Sequence, residues 1–203
     1  MSVELVLAIY DRDYNWISGI NSDVKITKYN KNENKIKDSE ILIKPNIGRD
    51  VHTFFYHIVK NYDSLSEYTF FSQDYPFDHV SNYVEIINDY KFACNKFARQ
   101  NFKNTWFFDT CWDCTLSCNS NGDPHHPGLK IKSVWDEIFL VEIPELIYFT
   151  PAGHFCVKKE QIYRYPKKFY EKIKKILEEN PQAPWIIERL LPYIFGDQIS
   201  IKT

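Results

Sequence analysis

Gln73, Asp74, Asp78 and His79 fall within seven consecutive residues. They follow an aromatic run, Tyr68-Thr69-Phe70-Phe71, that reads as a buried strand. The run stops at Ser72-Gln73-Asp74-Tyr75-Pro76. Pro76 has no backbone donor and disfavours a helical residue before it, so the chain leaves the sheet there. In open α/β sheets, ligands bind at the carboxyl ends of strands. Two carboxylates, an amide and an imidazole at such a place suit a divalent cation carrying a phosphorylated substrate. A plain polar turn after a core strand uses the same residue types, so the rest of the chain has to decide.

Three other stretches carry groups that chemistry could use. In Ile41-Leu42-Ile43-Lys44-Pro45-Asn46-Ile47-Gly48-Arg49-Asp50, a short apolar segment ends at Pro45 and Gly48 supplies turn flexibility. Asp50 is expected to cap a helix over 51–62, with Phe54, Phe55, Ile58 and Val59 as its apolar stripe. Arg49 then stands beside a helix N-terminus, where a guanidinium and backbone donors can share a phosphate or carboxylate. An ion pair with Asp50 or another acid is its structural alternative. Glu188 and Arg189 interrupt the apolar segment 185–191, which is expected to end at Pro192. Charges among core positions are either a buried pair or site residues. Cys111, Cys114 and Cys118, with His125 or His126, invite a zinc-stabilised interaction domain. Only one cysteine pair has ligand spacing, and there is no second CxxC or HxxxH, so zinc is the weaker reading. The turn-rich loop around these residues suits acceptor recognition as well.

The elements that must position these groups follow an α/β pattern. Residues 3–10 form a continuous apolar strand of the kind buried on both faces of a parallel sheet, running into Asp11-Arg12-Asp13-Tyr14. A short helix is expected over 15–20, a less buried strand over 23–29 and a polar turn over 30–35. Residues 80–89 read as a helix that 92–97 extends or follows, and 106–109 as a strand end. Residues 135–139 begin a helix or lie beside a strand. Residues 146–149 form a strand that ends at Thr150-Pro151-Ala152-Gly153-His154, and 166–180 an amphipathic helix. The sum is one α/β domain over 1–203, with a central, mostly parallel mixed sheet flanked by helices. No GxGxxG and no GxxxxGK[ST] occurs, so neither the dinucleotide fingerprint nor the P-loop is supported.

Composition narrows the classes. A net charge of -2 gives no sign of a nucleic-acid binder. No apolar run approaches the length of a transmembrane helix, and 1–10 lacks the positive flank of a secretory signal. The five cysteines are odd in number and scattered, which fits reduced thiols in a cytoplasmic protein better than a disulfide framework.

Several segments resemble a family of small domains found in fungi, bacteria and large DNA viruses. Asn46-Ile47-Gly48-Arg49-Asp50-Val51-His52-Thr53-Phe54 resembles its N-x-G-R-E/D-x-x-T-Y segment, and Gln73-Asp74-Tyr75-Pro76-Phe77-Asp78-His79 its Q-x-x-P-F-D-H motif. Gly153-His154-Phe155-Cys156-Val157 resembles G-A-Q-F-x-V, with His154 in place of Gln. The stretch from Glu188 to Phe195 resembles E-R-L-W-P-x-I-F, with Leu191 in place of Trp. That family is similar to GT-A-type glycosyltransferases, including the small capsid-glycosylating domain of chlorella viruses.

The resemblance implies a GT-A-like domain that moves a sugar from a nucleotide-diphospho-sugar, a UDP-sugar first, to a glycan or protein-linked glycan acceptor. It makes the cytoplasmic location expected above that of the host cell if the chain is viral. It also implies Mn2+ or Mg2+ to neutralise the leaving diphosphate. Asp78 and His154 are then the expected metal ligands, although Asp74 and Asp78 are separated by three residues where a D-x-D is usual. Asp74 is expected near the sugar or ribose. Ala8, Tyr10, Asp11, Tyr29, Arg49 and Gln73 are expected around the nucleotide. Glu188, Asp136 and Asp109 are the candidate bases for an inverting reaction. A sugar- or nucleotide-binding module without turnover is the alternative on the same cleft.

Overall fold

The computed structural model describes residues 1–102, 104–109, 112–115, 126, 128–196 and 199–202, with 112–115 described in backbone alone. In chain order the strands and helices are β1 (Val3–Ile9), β2 (Val24–Asn30), β3 (Ile41–Leu42), α1 (Arg49–Asn61), β4 (Tyr68–Gln73), α2 (Tyr83–Asn88), α3 (Tyr90–Phe97), β5 (Gln100–Phe102), β6 (Thr105–Phe107), β7 (Trp112–Thr115), α4 (Ile131–Ile138), β8 (Leu146–Phe149), β9 (Phe155–Lys158), α5 (Lys159–Ile162), α6 (Lys167–Glu179) and α7 (Ala183–Phe195). Seven strands form one sheet in the order β3-β2-β1-β4-β9-β6-β5. β1 to β4 run parallel, and β9 enters antiparallel between β4 and β6. The sheet is therefore mixed and mostly parallel, as the sequence predicts.

β1 is buried along its whole length because both faces of the sheet are covered. On one face Val6, Ala8, Phe71 and Phe155 pack against α1, α6 and α7. On the other, Leu5, Phe70 and Cys156 pack against Tyr83, Ile86 and Ile87 of α2 and Ala93 and Cys94 of α3. The predicted stripe of α1 holds: Phe54, Phe55 and Ile58 are fully buried, each stabilising the fold by roughly 1.5–3 kcal/mol. Glu4 is the one acid on β1 and is 1% exposed. It is tolerated because Thr27 Oγ1 donates to it at 2.6 Å, Ser66 Oγ donates at 3.0 Å, and Lys25 Nζ lies 3.0 Å away.

Four expectations need correcting. α1 is capped by the backbone of Gly48, not by Asp50, which lies in the first turn. Gly48 has φ 67, and a Cβ there would stand 2.5 Å from that of His52, so glycine is required. α7 runs through Pro192 to Phe195. The ring forfeits the bond to the Glu188 carbonyl, but the last turn is held from outside. Thr105 Oγ1 and Gln161 Nε2 both donate to the Phe195 carbonyl, at 2.7 and 2.6 Å. The strand Leu146–Phe149 belongs to a separate two-stranded sheet with β7, inside a stretch that reads as loop. Finally, α2 starts at Tyr83, after a turn at 80–82.

The strand order creates the place that matters. The chain steps outward from β1 to β2 to β3, then returns to the other side of β1 to lay down β4. The loops leaving β1 and β4 diverge, and such a topological switch point is where α/β sheets hold ligands.

Candidate active site at the carboxyl edge of the sheet

A crevice of about 340 Å³ opens at that switch point. Its floor is Ala8 and Ile9, its β4 side Gln73 and Asp74, and its far wall the first turn of α1. Asp74 sews the two strand exits together: its Oδ2 accepts the backbone N–H groups of Tyr10, Asp11 and Arg12 at 3.1, 3.1 and 3.0 Å. Trp16 Nε1 donates to the Asp74 carbonyl at 2.7 Å. Asp78, four residues on, is exposed, and Arg12 Nη1 lies 2.5 Å from its Oδ2. The same guanidinium sits over the Tyr75 ring. The two carboxylates thus have different places, one tying backbone and one facing solvent.

The α1 wall holds two groups that sequence reading passed over. Lys31, the residue after β2, is 7% exposed and looks in sequence like part of a solvated turn. Its Nζ donates to the carbonyls of Ile47 and Arg49 and lies 3.2 Å from His52 Nδ1. Burial brings its amine down to about 8. The Lys31 N–H donates to Ile9 O, which sets Lys31 beside the end of β1. Thr53 is fully buried, lines the crevice, and its Oγ1 has no hydrogen-bond partner among the described residues. Asp50, in the same turn, has its carboxyl raised by burial against the opposing pull of Arg49 and Lys31. Arg49 is exposed, with its guanidinium 5.6 Å from the Trp185 ring centre.

Behind Gln73 lies a chain of imidazoles. His154 is fully buried, with Nδ1 3.3 Å from Ser72 Oγ and Nε2 3.2 Å from Gln73 Nε2. Burial holds it down to about 3, so it is neutral at pH 7. It is placed as an internal strut rather than an open cation ligand, because both ring nitrogens face neighbours. Its ring lies 5.7 Å from that of His79. His79 Nδ1 is 2.7 Å from Asp109 Oδ2, and this carboxylate holds the imidazole above its ordinary value. Glu188, on α7, is close enough for its charge to act on His79.

The structure therefore gathers Ala8, Tyr10, Arg49, Gln73 and Asp74 around the crevice. Outside its lining, His154 contacts Gln73, Asp109 pairs with His79, Glu188 acts on His79, and Asp78 pairs with Arg12. Asp11 is exposed beside them and paired with Lys35. Two expected residues stand elsewhere. Tyr29 is 1% exposed and its hydroxyl lies 3.1 Å from His57 Nδ1, so it packs under α1 rather than lining the crevice. Asp136 is on the exposed side of α4, 2.5 Å from Lys132 Nζ, in an ordinary i,i+4 pair. Of the zinc reading, Cys111, Cys118 and His125 lie outside the described residues, as does the side chain of Cys114. His126 packs on Trp185.

Among the described residues no three His, Cys, Asp or Glu side chains converge as a metal site. A cation brought by a diphosphate needs fewer, since Mg2+ is commonly bound by one or two carboxylates plus substrate phosphates. Asp78, exposed beside Arg12, offers one such carboxylate.

Residues 5–201 match one protein family over nearly the whole chain, and that family is described as "Protein of unknown function (DUF3431)". The chain belongs to the DUF3431 family. No curated protein and no solved structure matches it significantly. Among the described residues of this DUF3431 chain, no helix is long and apolar enough to cross a membrane.

Proposed function

We propose that this DUF3431 chain is a GT-A-like glycosyltransferase that takes its sugar from a nucleotide-diphospho-sugar, a UDP-sugar first, bound in the switch-point crevice. The observation that carries the reading is the crevice itself, with Asp74 joining its two strands and the exposed Asp78 four residues on, paired with Arg12. Inside, Lys31 and Arg49 are offset by Asp50 and Asp74, and Thr53, Asn46 and Gln73 add neutral hydrogen-bonding groups. Such a balanced lining suits a neutral polar ring, the nucleoside, more than a bare anion. Arg49, which lines the crevice, and Arg12, beside Asp78, suit the diphosphate. Mn2+ or Mg2+ held by Asp78 would supply charge neutralisation for the leaving diphosphate.

Of the three candidate bases, Asp136 stands away from the crevice and Asp109 is engaged beneath His79. Glu188 is the carboxylate we assign to the proton of a glycan acceptor hydroxyl. Calorimetry with UDP- and GDP-sugars and Mn2+ tests the donor site. Saturable binding that requires the metal and disappears in Asp78→Ala is expected, and a folded protein that gives no heat with any donor sinks the reading. Glu188→Gln is expected to keep donor binding while transfer falls by about 10²–10⁴-fold. Donor binding with neither hydrolysis nor transfer would make the chain a binding module instead.

A further inference from the structure

The turn that leads into α1 has an uncommon shape. Gly48 has φ 67 and Arg49 φ 54, two left-handed residues in succession, and an arginine is strained there. Lys31 takes the carbonyls on either side: its Nζ donates to Ile47 O at 2.5 Å and to Arg49 O. An ammonium has three donors and no acceptor, so its third N–H goes to His52 Nδ1, 3.2 Å away. A neutral ring that accepts at Nδ1 carries its proton on Nε2. That nitrogen lies 3.2 Å from Glu178 Oε1 on α6. The chain of contacts ends at the surface, where the Glu178 side chain is 33% exposed and Lys174 Nζ lies 2.5 Å from the same oxygen. α6 also abuts the turn itself, since a Cβ on Gly48 would stand 3.1 Å from Leu177 O. Among the described residues, Asp50 on α1 bears on the Lys31 charge and Arg49 on that of Asp50, while Glu178 and Lys174 bear on His52 from α6.

We infer that Glu178 and His52 position Lys31, and through it the turn at 47–49, so that a surface carboxylate on α6 sets how firmly the crevice holds its ligand. Glu178 fixes the His52 tautomer and polarises the ring, which makes Nδ1 the better acceptor. That acceptor helps to keep a buried amine charged, against the burial that brings it down to about 8. The charge in turn strengthens the bonds to the Ile47 and Arg49 carbonyls. A neutral amine has only two N–H groups for the same three acceptors. Lys31, Arg49 and Asp50 line the crevice, so a slackened turn moves part of its wall. The relay belongs to that wall whatever the crevice binds, and its bearing on nucleotide-sugar affinity rests on the donor reading.

NMR of lysine Cε signals through a pH titration tests the relay, the Lys31 signal being the one lost in Lys31→Met. Glu178→Gln is expected to lower the Lys31 titration by about half a unit. Glu179→Gln, which removes the neighbouring acid paired with Lys175, should leave it in place. Amide exchange reads the turn, because the N–H groups of Ile47 and His52 donate to Pro45 O and Gly48 O, both at 3.0 Å. Their exchange is expected to quicken at least about ten-fold in Lys31→Met and by a smaller factor in Glu178→Gln. UDP-sugar binding with Mn2+ should weaken in the same order. The inference is overturned if Glu178→Gln leaves either the Lys31 titration or the two amides unchanged, or if Glu179→Gln matches its effects. If both shifts appear and no donor binds, the relay stands and the donor reading falls.

Discussion

Asp74→Ala is expected to collapse the crevice and to destabilise the fold by about 2–5 kcal/mol. One carboxylate oxygen satisfies the N–H groups of Tyr10, Asp11 and Arg12. Removing it orphans three donors at once, and each unsatisfied buried donor costs about 1–3 kcal/mol. The total lies below the sum because Arg12 and Tyr10 are exposed and water reaches part of the gap. Asp74→Asn keeps an acceptor oxygen and should lose about half as much. Urea unfolding of both variants, alongside donor binding, separates tie from chemistry. An alanine variant as stable as the parent would show that the tie is dispensable. An asparagine variant that is stable but binds no donor would give Asp74 a direct part in recognition.

Mild acid is the second large lever. His52, His57 and His154 are 3%, 0% and 0% exposed. Burial is the main cause that brings them down, to about 4, 4 and 3, with Lys31 adding to the effect at His52 and Glu4 opposing it at His57. Their folded values lie below the unfolded one, so the unfolded chain takes up protons that the folded chain refuses. Stability is therefore lost as pH falls below about 6.5, until the folded groups themselves titrate. Each histidine contributes a slope of up to about 1.4 kcal/mol per pH unit, so the three together remove about 6 kcal/mol between pH 7 and pH 5. That is comparable to the whole stability of many domains. Asp50 and His79, both raised, act in the opposite sense and soften the fall. Urea midpoints at the two pH values test this, and His57→Gln should remove its share of the slope. Equal midpoints would mean that the three rings are not buried neutral.

What could be read from the residues was what is local. β1, β2 and β4 announce themselves as apolar or aromatic runs, and the α1 stripe by its spacing. Because Ala8, Tyr10, Gln73, Asp74 and Arg49 sit at the ends of those elements, their convergence was legible too. Pairing between distant segments was not. Nothing in 112–115 says that it pairs with 146–149, and Pro192 reads as a helix stop until Thr105 and Gln161 hold the turn beyond it. His79 and Asp109 are far apart in sequence and meet only because β6 is brought beside β9. Lys31 and Thr53 were missed because a lysine in a polar turn and a threonine within a helix look unremarkable until burial is known. Asp136 was over-read, although its spacing from Lys132 already spelled a surface pair.

The insertion of β9 between β4 and β6 also fixes an order of assembly. During synthesis β1 to β4 can align as soon as they emerge, and the two sides of the crevice with them. The β5–β6 hairpin then has nothing to join, and β4 stands as an open edge, until Phe155–Lys158 arrives. A ribosome-bound chain stopped short of that strand should carry a formed β1–β4 half that is prone to self-association, with His79 and Asp109 still apart. Release of a few dozen more residues should close the edge and bring the pair together in one step.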